Sequence, residues 1–201
     1  LRALLRVGVA ARTLNGVFRA VVGWQLDHEV ARTAAGSALE FSIEKQVPAD
    51  QDTLWEDCRG QQRLSFWKDA AYMRWRYDQN PDHDFEYACL RQRGRLVAIA
   101  VMVRREDVVR LCELLVVGRD ARAGRQLVGE LSRLQHHARA RSISFLGHDS
   151  GFQAKALERF TPSTVIHNVL LARAVDRSDS LERLMGQPDA WSLSYGDADF
   201  V

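Results

Sequence analysis

Residues 85–117 read FEYACLRQ-RG-RLVAIAVMVRR-ED-VVRLCELLVV, and this stretch decides the fold. Phe85–Gln92 predicts a strand. Arg93-Gly94 is a tight-turn signal, because a glycine there accepts the positive φ that two-residue hairpins need. Leu96–Val103 predicts a second, nearly continuous apolar strand. Glu106-Asp107 marks a second turn, and Val108–Val117 predicts a third strand. Strands joined by connections this short leave no room for a crossover, so the three form an antiparallel meander.

Outward toward the C-terminus, the loop Gly118–Ala123 leads into a long helix ending near Arg141, with Leu127, Leu131, Leu134 and Ala138 as its apolar stripe. Ser142–Leu146 predicts a strand reached by that helical crossover, and therefore parallel to the third meander strand. A helix at Gln153–Phe160 stops at Thr161-Pro162, and Thr164–Ala172 predicts another strand. Ser178 or Asp179 caps a short helix ending near Gly186, and a short strand is expected around Trp191.

Toward the N-terminus, Phe41, Ile43 and Val47 alternate with polar residues in a strand that ends at Pro48. Asp50 and Asp52 are expected to cap a helix containing Leu54, Trp55 and Cys58, and Asp69 a second one over Ala70–Tyr77, stopped by Asn80-Pro81. Leu1, Leu4, Val7, Ala11, Leu14, Phe18 and Val21 recur at helical spacing, with Arg2, Arg6, Arg12 and Arg19 off the stripe. Residues 1–38 are thus expected to be a basic linker helix and connection, and 39–201 the domain proper. Strands paired first by hairpins and then separated by helices predict an α/β fold with a mixed, mostly antiparallel sheet and helices on both faces.

A chain of 201 residues, 46% hydrophobic and carrying a net charge of +2, can bury a core without staples, and its charge demands no acidic partner. Trp67, Tyr72, Trp75 and Tyr77 lie among Lys68, Arg74 and Arg76, a mixture that can stack on single-stranded nucleic acid. With so small a net charge they read instead as core or pocket wall, and no nucleic-acid partner is expected. Cys58, Cys89 and Cys112 are far apart, which argues for buried thiols in a reducing, cytoplasmic compartment. No apolar run is long enough to span a membrane, and arginines interrupt any signal-peptide core. His136-His137 lacks a third ligand at metal spacing, and Asp197-Ala198-Asp199 reads as solvated or capping, so no metal site is expected.

The element order from Leu39 to Ala172 resembles the GNAT superfamily of acyl-CoA N-acyltransferases. Two local segments, Asp69-Ala70-Ala71-Tyr72-Met73-Arg74-Trp75-Arg76-Tyr77 with Asn80-Pro81, and Trp191-Ser192-Leu193-Ser194-Tyr195-Gly196-Asp197-Ala198-Asp199, resemble a bacterial GNAT-like subgroup. Its members often carry two fused GNAT-like halves and are linked to cell-surface polysaccharide synthesis. The resemblance implies a splayed parallel strand pair holding acetyl-CoA or another acyl-CoA, a small amine as acceptor, and a preceding GNAT-like domain in a longer chain. Leu1 in place of a methionine fits the last expectation.

The resemblance also assigns residues. Its pyrophosphate pattern, Gln/Arg-x-x-Gly-x-Gly/Ala, falls on Arg119-Asp120-Ala121-Arg122-Ala123-Gly124. Free N–H groups at a helix start favour an anion there. Arg122 stands where the pattern has glycine, and either crowds the cradle or gives the phosphates a charged donor. Leu115, Val117 and Arg125 complete the expected cofactor contacts, and Tyr72, Trp75 and Arg76 the expected acceptor pocket.

Val109, Leu111, Glu113, Leu115 and Val117 share one strand face by the two-residue period, four apolar and one a carboxylate. A carboxylate so placed is either paired, for instance with an arginine, or functional. In GNAT enzymes a carboxylate on this strand commonly accepts the ammonium proton, and Glu113 matches that position. The family's acid, a tyrosine on the helix after the parallel strand, is absent from Gln153–Phe160, which leaves His148 and Ser150 at the strand end as nearby substitutes, of which His148 can protonate a thiolate near neutral pH.

Overall fold

The computed structural model describes residues 38–61 and 64–145, with further positions between 20 and 34 and between 183 and 197. The meander expected from sequence is its centre. Strands β1 (Leu39–Glu44), β3 (Phe85–Gln92), β4 (Arg95–Arg105), β5 (Val108–Val116) and β6 (Ser142–Phe145) form one sheet in the order β1-β3-β4-β5-β6. β1, β3, β4 and β5 pair antiparallel, and β6 pairs parallel to β5. Between the strands lie helices α1 (Gln51–Arg59) and α2 (Ala70–Met73). α2 continues as a π-helical turn over Arg74–Asp78. Helix α3 (Ala121–His137) links β5 to β6. A two-residue strand β2 (Leu64–Ser65), not anticipated from sequence, pairs parallel with β7 (Trp191–Ser192).

The turns follow their residues. Arg93 and Gly94 both have positive φ, 52° and 80°, which matches the right-handed twist of the strands they join. The N-caps are a partial correction. Asp69 does cap α2, its carboxylate accepting the Tyr72 N–H at 2.8 Å. Asp50 precedes α1 but makes no cap bond to it; its carboxylate accepts from the Leu96 N–H at 2.9 Å and from Arg91 at 3.1 Å. Asp52 likewise leaves its own helix and accepts from the Ala70 N–H at 2.7 Å. Both carboxylates therefore tie α1 to neighbouring elements.

The sheet buries a core on each face. Ala88, Leu90, Ala100, Met102, Val109 and Leu111 meet Ala123, Leu127, Val128 and Leu131 of α3. The opposite face sets Tyr87, Cys89, Ile99, Val101 and Leu115 against Leu54 and Trp55 of α1 and Met73 and Tyr77 of the second helical segment. Each such aliphatic side chain contributes about 1.5–3 kcal/mol on burial. Helices thus cover both faces of a mixed sheet, the α/β architecture expected. The expected stripe of α3 is shorter than its sequence implied: Leu134 is 39% exposed, and Ala138 lies beyond the last helical residue. Cys58, Cys89 and Cys112 are buried thiols.

The β5–β6 pairing runs from Val108↔Ser142 to Leu111↔Phe145. The splay expected beyond it, the helix at 153–160, the strand at 164–172 and His148 fall outside the described residues. So does the basic helix at 1–22 apart from Ala20 and Val21, which are helical. No helix among the described residues is long and apolar enough to cross a membrane.

Candidate active site

The strand register overturns one expectation. Val101 pairs with Glu113 and Met102 with Leu111, so Cys112 is an extra residue in β5. Such a bulge sets two successive side chains on one side and shifts the alternation beyond it. Val109 and Leu111 accordingly face α3, while Cys112 and Leu115 face α1 and α2. The five residues expected on one face are split between two, and Glu113 turns toward the π-helical turn.

There it enters a buried polar cluster. Lys68, on the connection between β2 and α2, donates from Nζ to both oxygens of Glu113 at 2.7 and 2.6 Å. The same ammonium donates to Asp197 at 2.8 and 3.0 Å and to Ser194 Oγ at 3.3 Å. Tyr77 OH donates to Glu113 at 2.9 Å. Ser194 Oγ lies 3.0 Å from an oxygen of each carboxylate, and its N–H donates to Asp197 at 2.9 Å. The backbone carbonyl of Lys68 accepts from the Gln51 amide at 2.8 Å, which fixes the connection that carries the ammonium. Side-chain exposure is 2% for Lys68, 1% for Glu113 and 3% for Asp197.

Two carboxylates thus share one ammonium in a dry place. Burial pushes the Glu113 carboxyl above its ordinary range; the Lys68 ammonium opposes this, and Asp197 adds to it. For Lys68 burial acts downward, but the two carboxylates outweigh it and hold the amine above its usual value. Tyr77 is raised by burial and then by Glu113. The Cys112 thiol is pushed up to about 12, first by burial and then by Glu113, so it is no nucleophile.

The cation beside Glu113 is therefore a lysine, where sequence reasoning suggested an arginine. A lone carboxylate in an apolar strand signals that a cation must come to it, but 28 lysines and arginines compete for the role. Asp197, expected from sequence to be solvated or capping, is drawn into the interior together with Ser194. The expected acceptor pocket lies nearby: Tyr72 and Arg76 are half-buried, and the Trp75 ring, 63% exposed, sits 6.0 Å from that of Tyr72.

The expected pyrophosphate loop closes β5 onto α3. Val117–Arg119 form a single 3-10 turn with Gly118 at φ 66° and Arg119 at φ 50°. Asp120 is the N-cap of α3, and its carboxylate accepts the Arg122 N–H at 2.8 Å. Arg119 donates to the Gln61 carbonyl, and Arg122 is exposed. Ala123 and Gly124 are buried, Ala123 in the core between α3 and the sheet, with Arg125 half-buried beside them. Leu115 is buried on the opposite face, and Val117 packs against the same cluster. Among the described residues no group of His, Cys, Asp and Glu is arranged to hold a metal.

One solved structure similar to this chain is the ribosomal-protein-S18-alanine N-acetyltransferase from Escherichia coli. It aligns at 14% identity over 60% of this chain and 76% of that one, with a TM-score of 0.43. No family model matches the sequence. No curated protein matches it either.

Proposed function

We propose that this chain is an acyl-CoA-dependent N-acyltransferase domain of the GNAT type, transferring an acyl group directly to a small amine. The observation that carries the reading is the bulge at Cys112, which turns the Glu113 carboxylate off the α3 face into a negatively biased site beneath Tyr72 and Tyr77. Such a site suits an ammonium-bearing acceptor. A carboxyl raised by burial is also a better base near neutral pH than an ordinary glutamate. In this reading Glu113 takes the acceptor's proton, the amine attacks the thioester, and the thiolate leaves. Acetyl-CoA or another acyl-CoA is the co-substrate, with 117–125 its diphosphate contact. An amino sugar is the acceptor class that the sequence resemblance favours, and a preceding GNAT-like domain and a cytoplasmic setting are parts of the same proposal.

A second reading has its own support. The Asp120 carboxylate occupies an N–H of the α3 terminus that a diphosphate would use, and Lys68 already neutralises much of Glu113. Both features fit a catalytically silent GNAT-like half that supports a neighbouring domain.

Titration calorimetry with CoA and acetyl-CoA, followed by a free-thiol assay with acetyl-CoA and glucosamine, separates the two. Binding with amine-dependent thiol release supports the enzyme. Binding with no release for this or other small amines, or no binding at all, supports the silent half.

A further inference from the structure

Helix α1 carries two polar side-chain atoms, Gln51 Oε1 and Trp55 Nε1, that are sealed from solvent and have no hydrogen-bond partner among the described residues. Their residues are 0% and 2% exposed. A buried polar group left unpaired is costly, and in native proteins nearly all such groups are met by protein or by ordered water. These two are complementary, since an amide oxygen only accepts and an indole N–H only donates.

The chain brings both to one seam. Four residues apart on a helix, Gln51 and Trp55 share a face. That face meets the connection between β2 and α2 twice. The Gln51 amide donates from Nε2 to the Lys68 carbonyl at 2.8 Å, and the Trp55 ring stands edge-on to that of Trp67, with 5.7 Å between centroids. The carbonyl needs a donor, so the amide has one orientation, with Nε2 toward Lys68 and Oε1 left for another group. Oε1 and Nε1 do not bond to each other, so a third group must bridge them.

The chemistry of that group follows from the two atoms. A cation would face the indole N–H, and an anion would face the amide oxygen. A neutral molecule with a lone pair and an O–H satisfies both, and the smallest such molecule that a sealed seam admits is water.

We propose that one buried water molecule bridges Trp55 and Gln51, accepting from Nε1 and donating to Oε1. It completes a hydrogen-bonded run from Trp55 through the Gln51 amide to the Lys68 carbonyl, and so ties α1 to the connection that carries the Lys68 ammonium. The proposal does not depend on acyl transfer.

Magnetic resonance of the protein with nitrogen-labelled tryptophan is the test, with the Trp55 indole assigned through its ring contact with Trp67. The Trp55 indole proton should show a rotating-frame cross-peak at the water frequency, with the sign of a dipolar contact. Gln51→Met keeps the length of the side chain and removes the acceptor, and the cross-peak should be lost. Should Gln51→Met not fold, the cross-peak in the unaltered protein decides alone. No water contact at the Trp55 indole, a cross-peak with the sign of exchange with bulk solvent, or one that persists unchanged in Gln51→Met would overturn the bridge.

Discussion

Lys68 Nζ sits 2.6 Å from Glu113 Oε2 and 2.8 Å from Asp197 Oδ1, so one buried ammonium joins β5 to a residue 84 positions after that glutamate. Removing one partner of a buried pair is far costlier than replacing the pair, because the remaining charge has no water to turn to. Lys68→Met strands two carboxylates and should cost about 3–5 kcal/mol in urea unfolding. Glu113→Gln keeps the shape and leaves Lys68 with Asp197, so its cost should be clearly smaller.

The same cluster fixes a pH dependence. Glu113 titrates above its ordinary value in the folded protein, so the folded state keeps a proton that the unfolded state has released. Its contribution to stability is complete below the unfolded value of about 4.3 and is lost as pH rises through the higher folded value. At constant ionic strength the melting temperature should fall as pH rises above the unfolded value of about 4.3, more steeply than in Glu113→Gln. Parallel curves for the two proteins would show that Glu113 does not carry the effect.

Asp69 serves two groups at once, accepting the Tyr72 N–H through one oxygen and the Trp67 indole N–H at 2.7 Å through the other. Asp69→Ala should cost about 1 kcal/mol as a lost N-cap. It should also free the half-exposed Trp67 ring, visible as a change in tryptophan emission. Asp69→Asn should restore most of the stability.

At the start of α3, Asp120 puts a carboxylate where the proposed diphosphate would approach. Asp120→Asn keeps an N-cap acceptor and removes the charge. If CoA binds there, affinity should rise about two- to fivefold, the equivalent of roughly 0.3–1 kcal/mol for one charge at a helix terminus. Calorimetry at low salt reads this directly. A loss of affinity would place the diphosphate elsewhere.

Much of the scaffold was legible because its signals are local. Arg93-Gly94 and Glu106-Asp107 marked the turns, the apolar runs between them marked the strands, and Asp69 announced a helix start. Asp50 and Asp52 misled because a carboxylate near a helix start caps only if nothing nearby competes for it. Here the Leu96 N–H, Arg91 and the Ala70 N–H do compete. The two-residue strand β2 left no periodicity to read.

The sequence by itself determined the meander, the crossover through α3, the α/β class and the presence of one carboxylate among apolar neighbours on β5. Only the tertiary structure decided which way that carboxylate points and what meets it. A single extra residue at Cys112 reverses the strand's facing beyond it, and alternation in sequence cannot show this because bulges depend on the partner strand. Lys68 meets Glu113 because a buried charge needs an opposite charge from wherever the folded chain can bring one, and the same ammonium gathers Asp197, with Ser194 donating between the two carboxylates.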